Sequence, residues 1–274
     1  MQILLSCAKD MVAQAECAKI QQTEPLFLQE AINNAREMAA YSAEELSSML
    51  KINSQLGAIN KMRYNDFMLP QTTLPAVLAY SGIAYKYLNA QSFSKKQMNF
   101  AQKHLWITSF LYGLLRPCDG IKNYRLEGNV VLPNNNQSMF DYWKPLLTDC
   151  LIDSVKQDDG ILVYLASAEM KRLFDWKKVT KAVKVVQPEF MVHKDGKLKS
   201  IVVYAKMCRG TMTRYIIENE CKHIDQLKYF DFEGFEFHSE DKKAGKLLFT
   251  LGYLQTKGSS LPQHACLFCG WVVC

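Results

Sequence analysis

Short apolar runs, each followed by a polar turn or a helical pattern, constrain the fold of this chain more than any other feature. Gln2–Leu5 leads into the polar turn Ser6–Asp10, and Gly160–Leu165 leads into Ala166–Phe174. In Ser200–Asn219 (SIVVYAKMCRGTMTRYIIEN) the apolar β-branched run Ile201–Tyr204 precedes Lys206, Arg209 and Gly210, and then a helical pattern carrying Arg214. Runs this short read as buried strands, and the last segment reads as strand, turn and helix. Strands and helices alternate irregularly, which places the chain in the α/β class (mixed α+β) as one compact unit.

The helical segments carry recognisable punctuation. Gln22–Tyr41 has helical apolar spacing, with Pro25 where a helix begins. Ser42 and Glu45 form a capping box ahead of a helix over Ala43–Lys51. A break at Ile52–Ser54 precedes a further helix through about Phe67. Ser94 caps a long helix predicted over Lys95–Tyr112, and Asp141–Lys156 reads as helix. Val179, Val183, Val185 and Val186 suggest strands, His193–Gly196 a hairpin turn. Further strands are expected near Phe230–Phe237 and Lys246–Leu251.

At 274 residues the chain can bury a sizeable core. Lys and Arg exceed Asp and Glu by 33 to 27, a modest excess that favours anionic partners without demanding one. No apolar run is long enough to span a bilayer, and MQILLSCAKDM lacks a basic leader region, so a cytoplasmic location is expected. The nine cysteines are odd in number and scattered, which suits reduced, mostly buried thiols. Cys208, directly before Arg209, reads either as a thiol of depressed pKa or as a small buried residue. No HExxH, GxSxG, Walker A or GxGxxG pattern occurs. In the tail, 254–274, His264, Cys266, Cys269 and Cys274 are cramped for a zinc site, and a flexible appendage is the expectation. Neither a metal nor a cofactor is expected.

The candidate binding residues are mostly cations near predicted element ends. A helix N-terminus after Gly210 suits a phosphate, since its unpaired N–H groups and dipole favour anions. Lys9 follows the first strand, and Ser167 and Glu169 follow the strand Gly160–Leu165, at carboxyl ends where open α/β sheets hold ligands. Lys9, Ser167, Glu169, Lys206, Arg209 and Arg214 are therefore expected to converge from three strand ends. In Tyr124-Arg125-Leu126-Glu127, Arg125 can clamp a phosphate or be locked by Glu127, and both can hold at once.

Several segments together resemble the YaaA family of bacterial peroxide-stress proteins. They are SCAK at Ser6–Lys9 (the family favours proline where Cys7 stands), KINSQLGAIN at Lys51–Asn60, LYGLLRPCD at Leu111–Asp119, YRLE at Tyr124–Glu127, YWK at Tyr142–Lys144, LASAE at Leu165–Glu169 and YAKMCRGTMTRYIIEN at Tyr204–Asn219. They stand in the family's order over about Met1–Leu251. The resemblance implies one α/β domain over 1–253 with a central mixed sheet, surrounding helices and a positively charged cleft. It also implies binding of double-stranded DNA and a role in limiting iron-driven oxidative damage under peroxide.

Members of the family carry a helix–hairpin–helix element, and Ala43–Phe67 is the best local candidate for it. Leu50, Ile52, Leu56 and Ile59 supply its apolar positions, Asn53 and Ser54 its turn, and Lys51, Lys61 and Arg63 its charge; the usual hairpin glycines are missing. Leu111–Pro117, with Arg116, is a second candidate. Low sequence specificity, a monomer and contacts mainly to phosphates are expected. The competing expectation is an enzyme acting on a nucleotide or another phosphorylated small molecule, because Glu127 and Glu169 stand among the cations.

Overall fold

The computed structural model describes residues 1–15, 20–70, 72–134 and 136–251. Cys17 and the tail 254–274, with its His and Cys residues, lie outside the described residues. The core of the fold is an eight-stranded mixed sheet. Its strands are β1 (Gln2–Leu5), β2 (Leu105–Ser109), β3 (Gly113–Leu115), β4 (Ile161–Tyr164), β5 (Lys184–Lys194), β6 (Lys197–Lys199), β7 (Phe235–Asp241) and β8 (Lys246–Leu251). The order is β7-β8-β5-β4-β1-β2-β3, with β6 hairpinned onto β5. β8, β5, β4, β1 and β2 run parallel, while β3, β6 and β7 pair antiparallel.

The run QILL is buried at every position of β1, and so is LWITS in β2. Such runs fit parallel strands covered on both faces. The helices include α1 (Leu28–Ala39), α2 (Ala43–Leu50), α3 (Ser54–Asn65), α4 (Ile83–Leu88), α5 (Lys95–His104), α6 (Met139–Gln157), α7 (Trp176–Ala182) and α8 (Val202–Glu218), of which α6, α7 and α8 pack on strands of the sheet. Core residues from sheet and helices form one contiguous apolar cluster. The capping box at Ser42 and Glu45 is present, as is another at Ser94 and Gln97. Asp195 and Gly196 both take positive φ and close the β5–β6 hairpin, as a two-residue turn of this kind requires. Among the described residues no helix is long and apolar enough to cross a membrane.

Three local expectations are corrected. The helix begun at Lys95 ends at His104, because Leu105–Ser109 pairs with β1 in the middle of the sheet and is buried on both faces. Val179 belongs to α7, capped by Asp175, and only Val183 onward leads into β5. The largest correction concerns Ile201–Tyr204, which is no strand. Ile201 is the extended N-cap of α8, and Val202 and Val203 are 67% and 50% exposed. Ala205, Cys208, Met212 and Ile216 are its buried face, spaced for a helix rather than a strand.

Gly210 therefore sits mid-helix rather than in a turn. Its role is close packing, since a β-carbon there would run into the Ala84 carbonyl of α4. Gly57 does the same in the α2–α3 hairpin, where a side chain would meet Ser47 and the Ala43 carbonyl.

Candidate functional site

The chain leaves β1 toward β2 on one side and leaves β4 toward β5 on the other. The loops following β1 and β4 therefore part, and a crevice opens at the carboxyl ends of these neighbours. A cavity of about 440 Å³ occupies that position. Its floor is tied across the strands. The Leu165 amide donates to the Leu4 carbonyl at 2.9 Å, the Ser167 amide to Ser6 Oγ at 2.8 Å, and the Cys7 amide to Thr108 Oγ1 at 3.3 Å. Tyr85 of α4 donates to the Ser6 carbonyl at 2.9 Å, holding the first loop against the helix.

Eight of the sequence-predicted residues share this cavity: Lys9, Tyr124, Arg125, Glu127, Ser167, Glu169, Lys206 and Arg209. Lys9 and the segment Ser167–Glu169 reach it from strand ends, as expected. Lys206 and Arg209 reach it from α8 instead. Three residues apart on a helix, they project on the same side.

One wall is an ion-pair cluster. Arg125 donates through Nε to Glu127 Oε1 at 3.0 Å and approaches the same oxygen through a terminal nitrogen at 2.9 Å. Lys9 Nζ lies 3.1 Å from that oxygen too. Arg125 also donates to the Lys9 carbonyl at 3.3 Å, and its own carbonyl accepts from Tyr64 of α3 at 2.6 Å. Beneath this wall a buried hydroxyl chain links Tyr80, Tyr124 and Ser109, at 2.8 Å and 2.7 Å. Burial raises the Tyr80 and Tyr124 phenols well above the usual range, so both stay neutral.

The α8 contribution to the lining is uncommitted. Arg209 is half-buried beside Tyr164, and no described residue forms a hydrogen bond or ion pair with its guanidinium. Burial holds that guanidinium below the usual arginine range. Lys206 and Glu169, both exposed, likewise have no ion pair among the described residues. Desolvating a cation without a counter-charge is unfavourable, so this part of the lining suits an incoming anion. Cys7 lies at the cavity floor with its thiol pushed up to about 12 by burial, which leaves it protonated and a poor nucleophile.

The other predicted residues lie elsewhere. Arg116 sits at the amino ends of β1 and β2, the far end of the sheet. Its guanidinium stacks 3.4 Å from the Trp106 ring centre and donates to Gln2 Oε1, the Lys103 and Leu105 carbonyls and Ser154 Oγ. Arg214 is turned about 140° around α8 from Arg209. It donates to the Leu88 and Asn89 carbonyls and Ser92 Oγ and pairs with Glu218, fixing the end of α4. Lys51, Asn53 and Ser54 are exposed at the α2–α3 turn. Lys51 takes a left-handed conformation as the C-cap of α2, and Asn53 caps α3 by accepting from the Leu56 amide. The Lys51 and Ile52 amides already bond to α2 carbonyls. Arg63 lines a separate recess with Ile59, Met62, Asp66 and Asn123.

Sequence reasoning missed Ser6, Asp10 and the Ser81–Tyr85 wall. Ser6 was within reach, since the strand-end rule that selected Lys9 applies to it first. The Ser81–Tyr85 contribution carries no local signal, because it depends on α4 crossing α8.

Comparison with known proteins adds a family. The family described as "Peroxide stress protein YaaA" matches residues 1–241. A UPF0246 protein of Phocaeicola vulgatus is 50% identical over 253 residues, covering 92% of this chain and 99% of that protein. One from Bacteroides fragilis is also 50% identical, over 254 residues with the same coverage. Another, from Flavobacterium johnsoniae, is 37% identical over 91% of this chain and 100% of its own length.

Proposed function

This chain belongs to the YaaA family of peroxide stress proteins, and on that premise we propose that it binds double-stranded DNA through phosphates, limiting iron-driven oxidative damage. The observation that carries this reading is the pair Lys206 and Arg209, two cations lining one cavity with no hydrogen-bond or ion-pair partner among the described residues. The α2–α3 hairpin supports it. Tyr64 ties the end of α3 to the Arg125 wall, and the exposed turn at Lys51, Asn53 and Ser54 lies about 15 Å away along the same helix. A backbone following α3 would meet cations at both ends. Because these contacts are to phosphates, affinity depends little on sequence and strongly on salt.

The test is fluorescence anisotropy with unrelated duplexes over a range of salt. Log affinity is expected to fall linearly against log salt, by about 0.9 per phosphate engaged. A slope near zero refutes the reading.

The second reading is an enzyme or binder of a nucleotide or other phosphorylated small molecule. The cavity volume supports it, being within the range of small-molecule sites, as does an uncommitted carboxylate, Glu169, on the same cavity as Lys206. Thermal-shift screening with nucleotides separates the two, because a ligand of the native state raises its melting temperature.

A further inference from the structure

We infer that the cavity at the ends of β1 and β4 is selective for a phosphomonoester carried on a nucleotide, in preference to the phosphodiester of an uninterrupted strand. The inference rests on reading this cleft as a phosphate site and specifies which phosphate enters it. Three observations carry it.

The first is charge. Glu127 already takes up Lys9 and Arg125, while Arg209 and Lys206 on α8 have no hydrogen-bond or ion-pair partner among the described residues. Two uncommitted cations match a monoester, which carries about −1.5 to −2 at neutral pH, better than a diester with a single charge. The half-buried position of Arg209 strengthens the match, because electrostatic differences grow where water is displaced.

The second is size. About 440 Å³, walled by the loops after two strands and by α4 and α8, accommodates one nucleotide-sized group, whereas the body of a rigid duplex meets only its mouth. An end of a strand or a free nucleotide can fill it.

The third is the remaining lining. Glu169 has no ion pair among the described residues, and Ser167 lies two residues before it on the same lining segment. An acceptor-only carboxylate so placed suits hydroxyl or amino donors on the body of the ligand, and it opposes a second anionic group there. Leu5, Ile83 and Met170 supply apolar contact.

Two sources offer this chemistry: a free nucleoside monophosphate, or the phosphorylated terminus of a DNA strand. The experiment titrates the full-length protein with adenosine, AMP and 3′,5′-cyclic AMP, and with one blunt duplex bearing either hydroxyl or phosphate at its 5′ ends. Wild type is compared with Arg209→Gln and Lys206→Gln. Preference of about tenfold or more for AMP over both adenosine and cyclic AMP supports the inference, with the free nucleotide as source; this is the discrimination one charge-assisted contact supplies. A preference of similar size for the 5′-phosphorylated duplex supports it with the strand end as source. In either case both substitutions abolish the preference. Lys206 is exposed and its replacement leaves the fold intact, so the test survives should the Arg209 variant fail to fold. Equal binding of both duplexes, weakened equally by the substitutions and with no AMP preference, overturns the inference and leaves the DNA reading standing. Binding of AMP with no binding of either duplex upholds the inference and removes the DNA reading. No AMP binding, together with duplex binding indifferent to both substitutions, overturns the inference and takes the cleft out of the DNA reading.

Discussion

Gly210→Ala tests the packing that brings α8 and α4 together at the cleft. In an exposed helix interior this change stabilises, by about 1 kcal/mol, because alanine costs less backbone entropy than glycine. Here the new β-carbon would overlap the Ala84 carbonyl, and the obstacle is backbone rather than the end of a flexible side chain. Relief requires α8 and α4 to move apart, at the upper end of the ~1–3 kcal/mol range for overpacking. The clash outweighs the propensity gain, leaving a net loss of about 2 kcal/mol. For a chain of this size that lowers the melting temperature by roughly 3–4 °C. The same movement displaces Lys206 and Arg209 on α8 relative to Ile83, Ala84 and Tyr85, all of which line the cavity. Anion binding should therefore weaken along with stability. Calorimetric melting and urea titration read the first effect, duplex or AMP titration the second. A variant that melts higher than wild type refutes the reasoning, because it would show that propensity governs this position and that the helix crossing is loose.

Three further outcomes follow from the same geometry. Arg116→Met should cost about 3 kcal/mol or more, because Gln2, Ser154 and two carbonyls lose a buried donor, while the salt dependence of duplex binding stays at the wild-type slope; a changed slope would mean that Arg116 meets phosphate. Glu127→Gln releases Lys9 and Arg125 from a shared carboxylate oxygen, so it should lower stability by about 1 kcal/mol, discounted for partial exposure, yet tighten duplex binding; weaker binding in a folded variant would contradict the competition. Cys7 and Cys208, both raised to about 12 by burial, should resist iodoacetamide in the native protein at pH 8, as peptide mass spectrometry can read; rapid native labelling of either would show an ionised thiol.

The cysteine prediction also settles the two readings of Cys208 on physical grounds. The neighbouring Arg209 lowers its pKa only slightly against the desolvation it suffers on the buried face of α8. Proximity in sequence to a cation is a weaker signal than burial, and the buried reading of Cys208 is the one the structure bears out.

What the sequence determined by itself was whatever depends on neighbours along the chain. Apolar runs place β1 and β4, the Ser42 and Ser94 signatures place two helix starts, and the strand-end rule puts Lys9, Ser167 and Glu169 at the crevice. Ordered motifs gave the family, since their order does not depend on how each segment folds. Tertiary structure alone decided the rest. Valines and an isoleucine at 201–203 suit a strand locally, but no sheet partner is available there, so the segment extends the helix that buries Cys208 and Met212. Which cations stay free was decided in the same way. Arg116, Arg125, Arg209 and Arg214 are equally basic in the sequence, yet three find internal acceptors from distant segments, while Arg209 is left half-buried with no acceptor among the described residues. A guanidinium's availability depends on acceptors that folding brings to it across the chain, and no local pattern records them.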